Sequence, residues 1–146
     1  MTALLFLGFL CVAGGIATVV QSQFLGELEQ AMGVLEGVLI TYGSGALLVA
    51  LVMLFLRGGN LREWQSVPPH VYLSGVAGLV IVGTLSYTVP RLGLVVAFTL
   101  FIVTQLTFSA AMDHFGWLGA EVRPLTLTKV VGIVVLMAGI WLVIKK

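Results

Sequence analysis

Long apolar stretches separated by short polar segments make up nearly the whole chain. Five of them are long enough for a transmembrane helix, which needs roughly 20 apolar residues. The predicted spans cover residues 2–23, 33–56, 71–89, 92–112 and 125–144 of a single domain, residues 1–146. The polar segments between them, such as residues 26–30 and a tight turn at residues 89–91, are too short to fold as separate domains. The pattern therefore predicts an all-α integral membrane bundle of five transmembrane helices.

The composition narrows the class of protein further. Hydrophobic residues make up 60% of the chain and charged residues 9%, and the mean hydropathy is +1.15. Since a soluble domain is about one quarter charged, this excludes a soluble enzyme and a disordered chain. A net charge of +1 excludes a nucleic-acid binder of the basic-patch kind. No metal-ligand, phosphate-loop or catalytic-triad motif is found, so we expect neither enzymatic activity nor a cofactor or metal.

The first span has no positively charged segment before its apolar run, and that run is longer than the core of a secretory signal peptide. We therefore expect a permanent helix there. Five spans place the two termini on opposite sides of the membrane, and the side of the N-terminus is called face A and the other face B. Face A receives four positive charges, Arg57, Arg62, Arg123 and Lys129, and face B receives three, Arg91, Lys145 and Lys146.

Orientation in the membrane follows an excess of Lys and Arg on one side, and an excess of one positive charge determines it only weakly. We therefore expect the chain to insert in both orientations and to pair with its own inverted copy as an antiparallel homodimer. Inverted repeats are a common plan of secondary transporters. A single orientation with face A inside is the alternative.

Polar side chains inside a span are candidates for function because they are costly in hydrocarbon. Glu36, near the start of the second span, is the acidic candidate. A carboxyl group that exchanges protons on the two sides could couple transport to the proton gradient, and a water-exposed carboxylate without such a role is the alternative. Gln21, Gln105, Tyr42 and Phe101 complete the predicted substrate or proton site. A phenylalanine stripe at helical spacing, such as the one that includes Phe101, more often faces lipid or packs in the core than lines a binding site.

A second set of residues has a predicted structural or interface role. Asp113 and His114 end the fourth span, where a carboxylate opposes the helix macrodipole and needs a partner such as Arg123 or Lys129. Gly33 and Gly37 open a stripe of small residues that favours close helix packing. That packing could occur within one protomer or between two.

Glycines, prolines and polar residues follow one another in a characteristic order. The series comprises Gly14-Gly15, Gln21, Gly45, Pro68, Gly75, Gly78, Pro90-Arg91-Leu92-Gly93, Gln105, Asp113-His114-Phe115-Gly116, Gly119, Pro124, Gly132 and Gly139. It resembles the YdcZ-like short five-helix family of the drug/metabolite transporter superfamily. The likeness covers nearly the whole chain, and the Asp-His-Phe-Gly element after a glutamine-bearing helix is its most specific part.

The resemblance implies a bacterial inner-membrane protein that assembles as an antiparallel two-fold dimer, similar to a ten-helix transporter. It also implies transport of small molecules without one substrate common to the family. Gln21, Gln105 and Asp113 match motif positions. Leu25 stands where the family usually has asparagine and Thr104 where it commonly has glycine, and Glu36 is not a family hallmark.

The leading functional hypothesis is a secondary active exporter of a small organic molecule, coupled to protons. Its expected partners are the lipid bilayer, a second copy of the chain and the substrate. Two other hypotheses stay open at this point: a passive channel built as a dual-topology dimer, and an accessory membrane subunit without transport of its own.

Overall fold

The computed structural model describes residues 2–56, 59 and 61–145, and within these ranges every regular element is helical. Five long helices follow one another: α1 (Thr2–Met32), α2 (Val34–Phe55), α3 (Ser74–Leu92), α4 (Leu94–Phe115) and α5 (Leu127–Ile144). Short 3-10 turns lie at Leu61–Ser66, Pro69–Leu73 and Trp117–Gly119. Arg57, Lys146 and the side chain of Arg62, which enter the charge count, lie outside the described residues.

All five long helices are long and apolar enough to cross a membrane. The prediction of an all-α protein with five membrane spans is therefore confirmed. At a rise of 1.5 Å per residue, the 31 residues of α1 extend about 46 Å, well beyond a hydrocarbon core of about 30 Å. The polar last turns of α1 consequently reach past the hydrocarbon.

Two turns lie later in the chain than the polar segments predicted. The segment 26–30 continues α1, because its glutamates and glutamine are good helix formers and Gln23 Nε2 donates to Glu27 Oε1 one turn on. The turn falls at Gly33, whose φ of 109° suits glycine. Pro90 and Arg91, predicted as a tight turn, lie inside α3, and the chain turns at Gly93 with φ 80°.

The chain divides into two compact units, Met1–Arg91 and Leu92–Lys146. In the first unit, α1 and α2 approach closely at Gly37, where a Cβ would lie 3.3 Å from Leu28 Cβ. The end of α3 packs on the end of α1: Ser86 Oγ donates to the Leu25 carbonyl at 3.4 Å, and both residues are buried. Gly26 permits this approach, since a Cβ there would lie 3.1 Å from Pro90 Cγ.

In the second unit, α4 packs against α5. Hydrogen bonds hold the short connection between these two helices. The backbone N–H of Arg123 donates to the Asp113 carbonyl at 2.8 Å, and the N–H of Leu125 donates to His114 Nδ1 at 3.2 Å. Gly116, in the left-handed conformation, ends α4. The rings of Phe115 and Trp117 stack with centroids 5.2 Å apart.

Apolar side chains cover most of the described surface. Among the described residues, the buried hydrophobic side chains are Leu25, Val38, Leu85 and Val89 in the first unit and Ala97 in the second, whereas large side chains such as Phe55 are up to 85% exposed. In water such a surface would be unfavourable, but hydrocarbon is as apolar as leucine itself. The chain is therefore folded for a bilayer.

Candidate functional site

A cavity of about 670 Å³ lies in the first unit between α1 and α2, and we call it the Gln21 cavity. It is lined by Ala13, Ile16, Ala17, Val20, Gln21, Phe24, Leu28, Ile40, Thr41 and Ser44. None of these described lining residues is charged. The lining is thus apolar with one amide and two hydroxyl groups.

A further cavity of about 650 Å³ shares Gln21 and Thr41 with the first, and we call it the Tyr42 cavity. Its lining is Gln21, Thr41, Tyr42, Gly45, Ala46, Val49, Ala50, Met53 and Val82. The Tyr42 hydroxyl reaches α3 at Gly78, where a Cβ would collide with it. Gln21 and Tyr42, predicted as site residues from the sequence, therefore line one cavity.

The polar groups of these cavities differ in how far the protein already satisfies them. Thr41 Oγ1 donates to the Gly37 carbonyl at 2.9 Å, and Ser44 Oγ donates to the Thr41 carbonyl at 3.1 Å. Around Gln21, the side-chain bonds recorded for the described residues join Ser22 to Thr18 and Gln23 to Glu27, and they leave the Gln21 amide without a partner. The Gln21 amide is therefore available to a ligand.

Glu36 lies in the first turn of α2, exposed, and it does not line either cavity. Its carboxylate folds back over Gly33, so that a Cβ on Gly33 would lie 2.7 Å from Oε2. A carboxylate in the first turn is stabilised by the helix macrodipole. Ile40 and Ser44, one and two turns further along the same face of α2, do line the Gln21 cavity. Glu36 thus stands one turn beyond that cavity.

The ends of α1 and α3 are joined by an ion pair that the sequence reasoning missed. Arg91 Nη1 lies 3.1 Å from Glu29 Oε1, and the Glu29 side chain is only 11% exposed. The guanidinium also donates to the Tyr87 carbonyl at 2.6 Å and stacks 3.6 Å above the Tyr87 ring. The sequence did contain a signal for this ion pair, because both charged residues fall on face B, at the ends of two spans.

The other two predicted site residues lie on α4, in the second unit. Gln105 is exposed and Phe101 is half-buried, one helical turn apart. Neither belongs to the lining of a cavity described above. The glycine pair has a contact within the chain: Gly33 forms the turn before α2, and Gly37 is buried against Leu28 of α1.

Asp113 lines a smaller cavity of about 310 Å³ between α4 and α5, together with Lys129, and we call it the Asp113 cavity. Arg123, the other predicted partner, binds Glu121 instead, with Nη2 2.7 Å from the Glu121 carboxylate. That hydrogen bond and the charge of Glu121 raise the pKa of Arg123. His114 is held by the connection, since its Nδ1 accepts the Leu125 N–H.

Five helices able to span a membrane define a multi-pass membrane protein, and its first unit carries two open, uncharged cavities of small-molecule size. Over residues 6–142 the chain matches a family model described as "Putative inner membrane exporter, YdcZ", and it belongs to that family. The family predicted from the sequence is confirmed, and its description points to membrane transport rather than catalysis. Neither the curated proteins nor the solved structures contain a match to the chain.

Proposed function

We propose that the protein is a secondary active exporter of a small organic molecule, working by alternating access in a dual-topology homodimer. The observation that carries the proposal is the pair of adjoining cavities that share Gln21. Their volumes fall within the range of small-molecule sites, about 300–1,000 Å³. An uncharged lining with an available amide and a tyrosine hydroxyl suits a mainly apolar molecule that forms few hydrogen bonds.

The dimer is supported by the size of the chain and by its charges. Five helices are half of the ten-helix plan, and inverted pairing gives the two-fold related halves that alternating access uses. The positive-inside rule depends on Lys and Arg rather than on net charge, so Arg91 retains its weight although it pairs with Glu29. The four-to-three division of positive charges therefore still favours dual insertion.

Proton coupling is supported by the position of Glu36 one turn beyond the Gln21 cavity. Protons from water can reach a carboxylate at that place without crossing the centre of the bilayer. We propose that export of the substrate is coupled there to proton entry.

The test reconstitutes the full-length protein in liposomes and measures flux of cationic, anionic and neutral organic probes, with and without a pH gradient. We expect uphill flux of at least one probe when a pH gradient is imposed. Flux that only follows the probe gradient would identify a passive channel, and absence of flux for every probe would favour an accessory subunit. Either result would contradict the proposal.

The role of the cavity is tested by a pair of neighbouring glutamines. Gln21→Leu removes the available amide, and we expect the transport rate at low substrate concentration to fall about tenfold, as for one lost hydrogen bond. Gln23→Leu makes the same change two residues away, where the side chain bonds to Glu27 and lines neither the Gln21 cavity nor the Tyr42 cavity, and transport should stay near wild type. Equal effects of the two substitutions would argue against the cavity.

A further inference from the structure

The Asp113 cavity has charged groups of opposite sign at one end and apolar walls further along. From α4 it takes Leu106, Ser109, Ala110 and Asp113, and from α5 it takes Lys129, Gly132, Ile133 and Leu136. Asp113 lies in the last turn of α4 and Lys129 in the first turn of α5, at the membrane-boundary ends of both helices. The lining therefore changes from charged to apolar towards the interior of the helices.

Neither charge is explained by the stability of its own helix. A carboxylate at a helix C-terminus and an ammonium at a helix N-terminus both oppose the macrodipole. The structure records two ion pairs among the residues it describes, Glu29 with Arg91 and Glu121 with Arg123, and neither includes Asp113 or Lys129. The cavity thus presents a carboxylate and an ammonium that are not bonded to each other.

Two polar side chains near the cavity have partners outside it. The Arg123 guanidinium forms its hydrogen bonds with Glu121, although the charge of Asp113 also helps to raise the pKa of Arg123, and His114 Nδ1 accepts the N–H of Leu125. Space for a ligand is provided in part by Gly132, because a Cβ at that position meets no atom within 4 Å.

We propose that the Asp113 cavity binds a zwitterion: an ammonium group next to Asp113, a carboxylate or phosphate next to Lys129, and an apolar portion against Leu106, Ile133 and Leu136. A ligand with one charge would satisfy one side chain and leave the other without a partner. An amino acid with an apolar side chain has this chemistry, and so does an ethanolamine phospholipid headgroup. The site does not depend on the transport function proposed above.

Leucine and two analogues test the charge requirement. Isoamylamine is leucine without its carboxylate, and isocaproate is leucine without its amino group. Full-length protein in nanodiscs of phosphatidylglycerol, which has no ammonium group, is titrated with each compound by calorimetry. We expect leucine to bind about tenfold more tightly than either analogue, the difference that one charge-assisted contact supplies.

The lipid source is tested in parallel by native mass spectrometry of the purified protein. Preferential retention of phosphatidylethanolamine over phosphatidylglycerol, without leucine binding, would identify a headgroup site. Leucine binding identifies a free solute. If neither zwitterion is preferred over its singly charged counterpart, the proposal is wrong.

Substitutions assign each charge to its side chain. In Lys129→Gln, leucine should bind no better than isoamylamine, and in Asp113→Asn it should bind no better than isocaproate. If phosphatidylethanolamine is the ligand, both variants should lose the preference for it. A purely structural role for these residues would weaken all three solutes alike and leave their order unchanged, which would overturn the assignment.

The cavity itself is tested by a pair of glycines on α5. Gly132→Leu fills the cavity and should abolish zwitterion binding. Gly139→Leu makes the same change two turns away, also in open space but outside the lining, and should retain it. Both variants are checked for native size and helicity, and equal loss of binding in two folded variants would contradict the site.

Discussion

The position of Glu36 is explained by helix stability and is also compatible with the proposed proton exchange. In the first turn of α2 its carboxylate gains roughly 0.3–1 kcal/mol from the macrodipole, so its presence needs no functional reason. Its face of α2 nevertheless continues into Ile40 and Ser44 of the Gln21 cavity. The stabilising contribution and the proposed proton exchange therefore differ in what they predict for a neutral side chain.

Glu36→Gln should leave the protein folded, with a loss of stability of about 1 kcal/mol or less. If Glu36 exchanges the coupling proton, transport in this variant should lose its dependence on pH. The measurement is flux in liposomes over a range of pH values on both sides. Glu27→Gln, at the exposed end of α1, is the control and should keep the wild-type pH dependence. An unchanged pH profile in Glu36→Gln would exclude this carboxylate as the coupling group.

At the scale of elements, the spans could be predicted from the sequence more completely than their ends. Runs of apolar residues show where a helix crosses hydrocarbon, and all five were found. The turn predicted at Pro90 was displaced, because α3 continues through Pro90 although proline cannot donate a helical hydrogen bond there. The chain turns at Gly93 instead, and its positive φ cannot be read from composition.

The cavities were less predictable for a physical reason. These helices are apolar on nearly all sides, so their sequence does not indicate which face meets a neighbouring helix. Gln21 and Tyr42 could be singled out because polar groups are costly in a membrane. Their common cavity depends on the contact of α1 with α2 at Gly37, which the pattern of small residues allowed but did not assign.

That contact predicts a position-specific effect in α2. In Gly37→Val, a Cβ 3.3 Å from Leu28 Cβ and two further methyl groups should force α1 and α2 apart, at a cost of about 1–3 kcal/mol. Thermal unfolding in detergent measures the loss. Gly43→Val has the same effect on helix propensity but meets no atom within 4 Å, and it should unfold near wild type. Equal destabilisation of both variants would mean that the contact with Leu28 is not responsible, because valine has a higher helix propensity than glycine.

The two arginine ion pairs should contribute unequally to stability, because the pair that joins α1 to α3 is less exposed than the pair after α4. Arg91→Met leaves the Glu29 carboxylate, 11% exposed, without its described partner, and we expect a loss of about 1–2 kcal/mol, between surface and buried pairs. Arg123→Met breaks a pair whose side chains are 65% and 77% exposed, and we expect little change. Comparison of their unfolding midpoints tests this expectation, and an effect of Arg123→Met as large as that of Arg91→Met would refute it.

At the scale of the whole molecule, the near balance of positive charges between the two faces predicts dual insertion, and adding charges to one face tests this. Leu61→Lys with Leu118→Lys, at exposed positions after α2 and α4, raises the count on face A from four to six. Gln30→Lys, Ala31→Lys and Met32→Lys, at the exposed end of α1, raise the count on face B from three to six. Each variant should insert in one orientation only, and the orientations of the two variants should be opposite.

If the active unit is a pair of inverted copies, each biased variant alone should lose transport, and co-expression of the two should restore it. Orientation is measured by labelling a single cysteine introduced at either terminus from each side of the membrane, after Cys11→Ser removes the native thiol. Complementation distinguishes inverted pairing from simple misfolding, because two misfolded proteins do not restore function to each other. Full transport by one biased variant, with uniform labelling from one side, would instead show that a single orientation is sufficient.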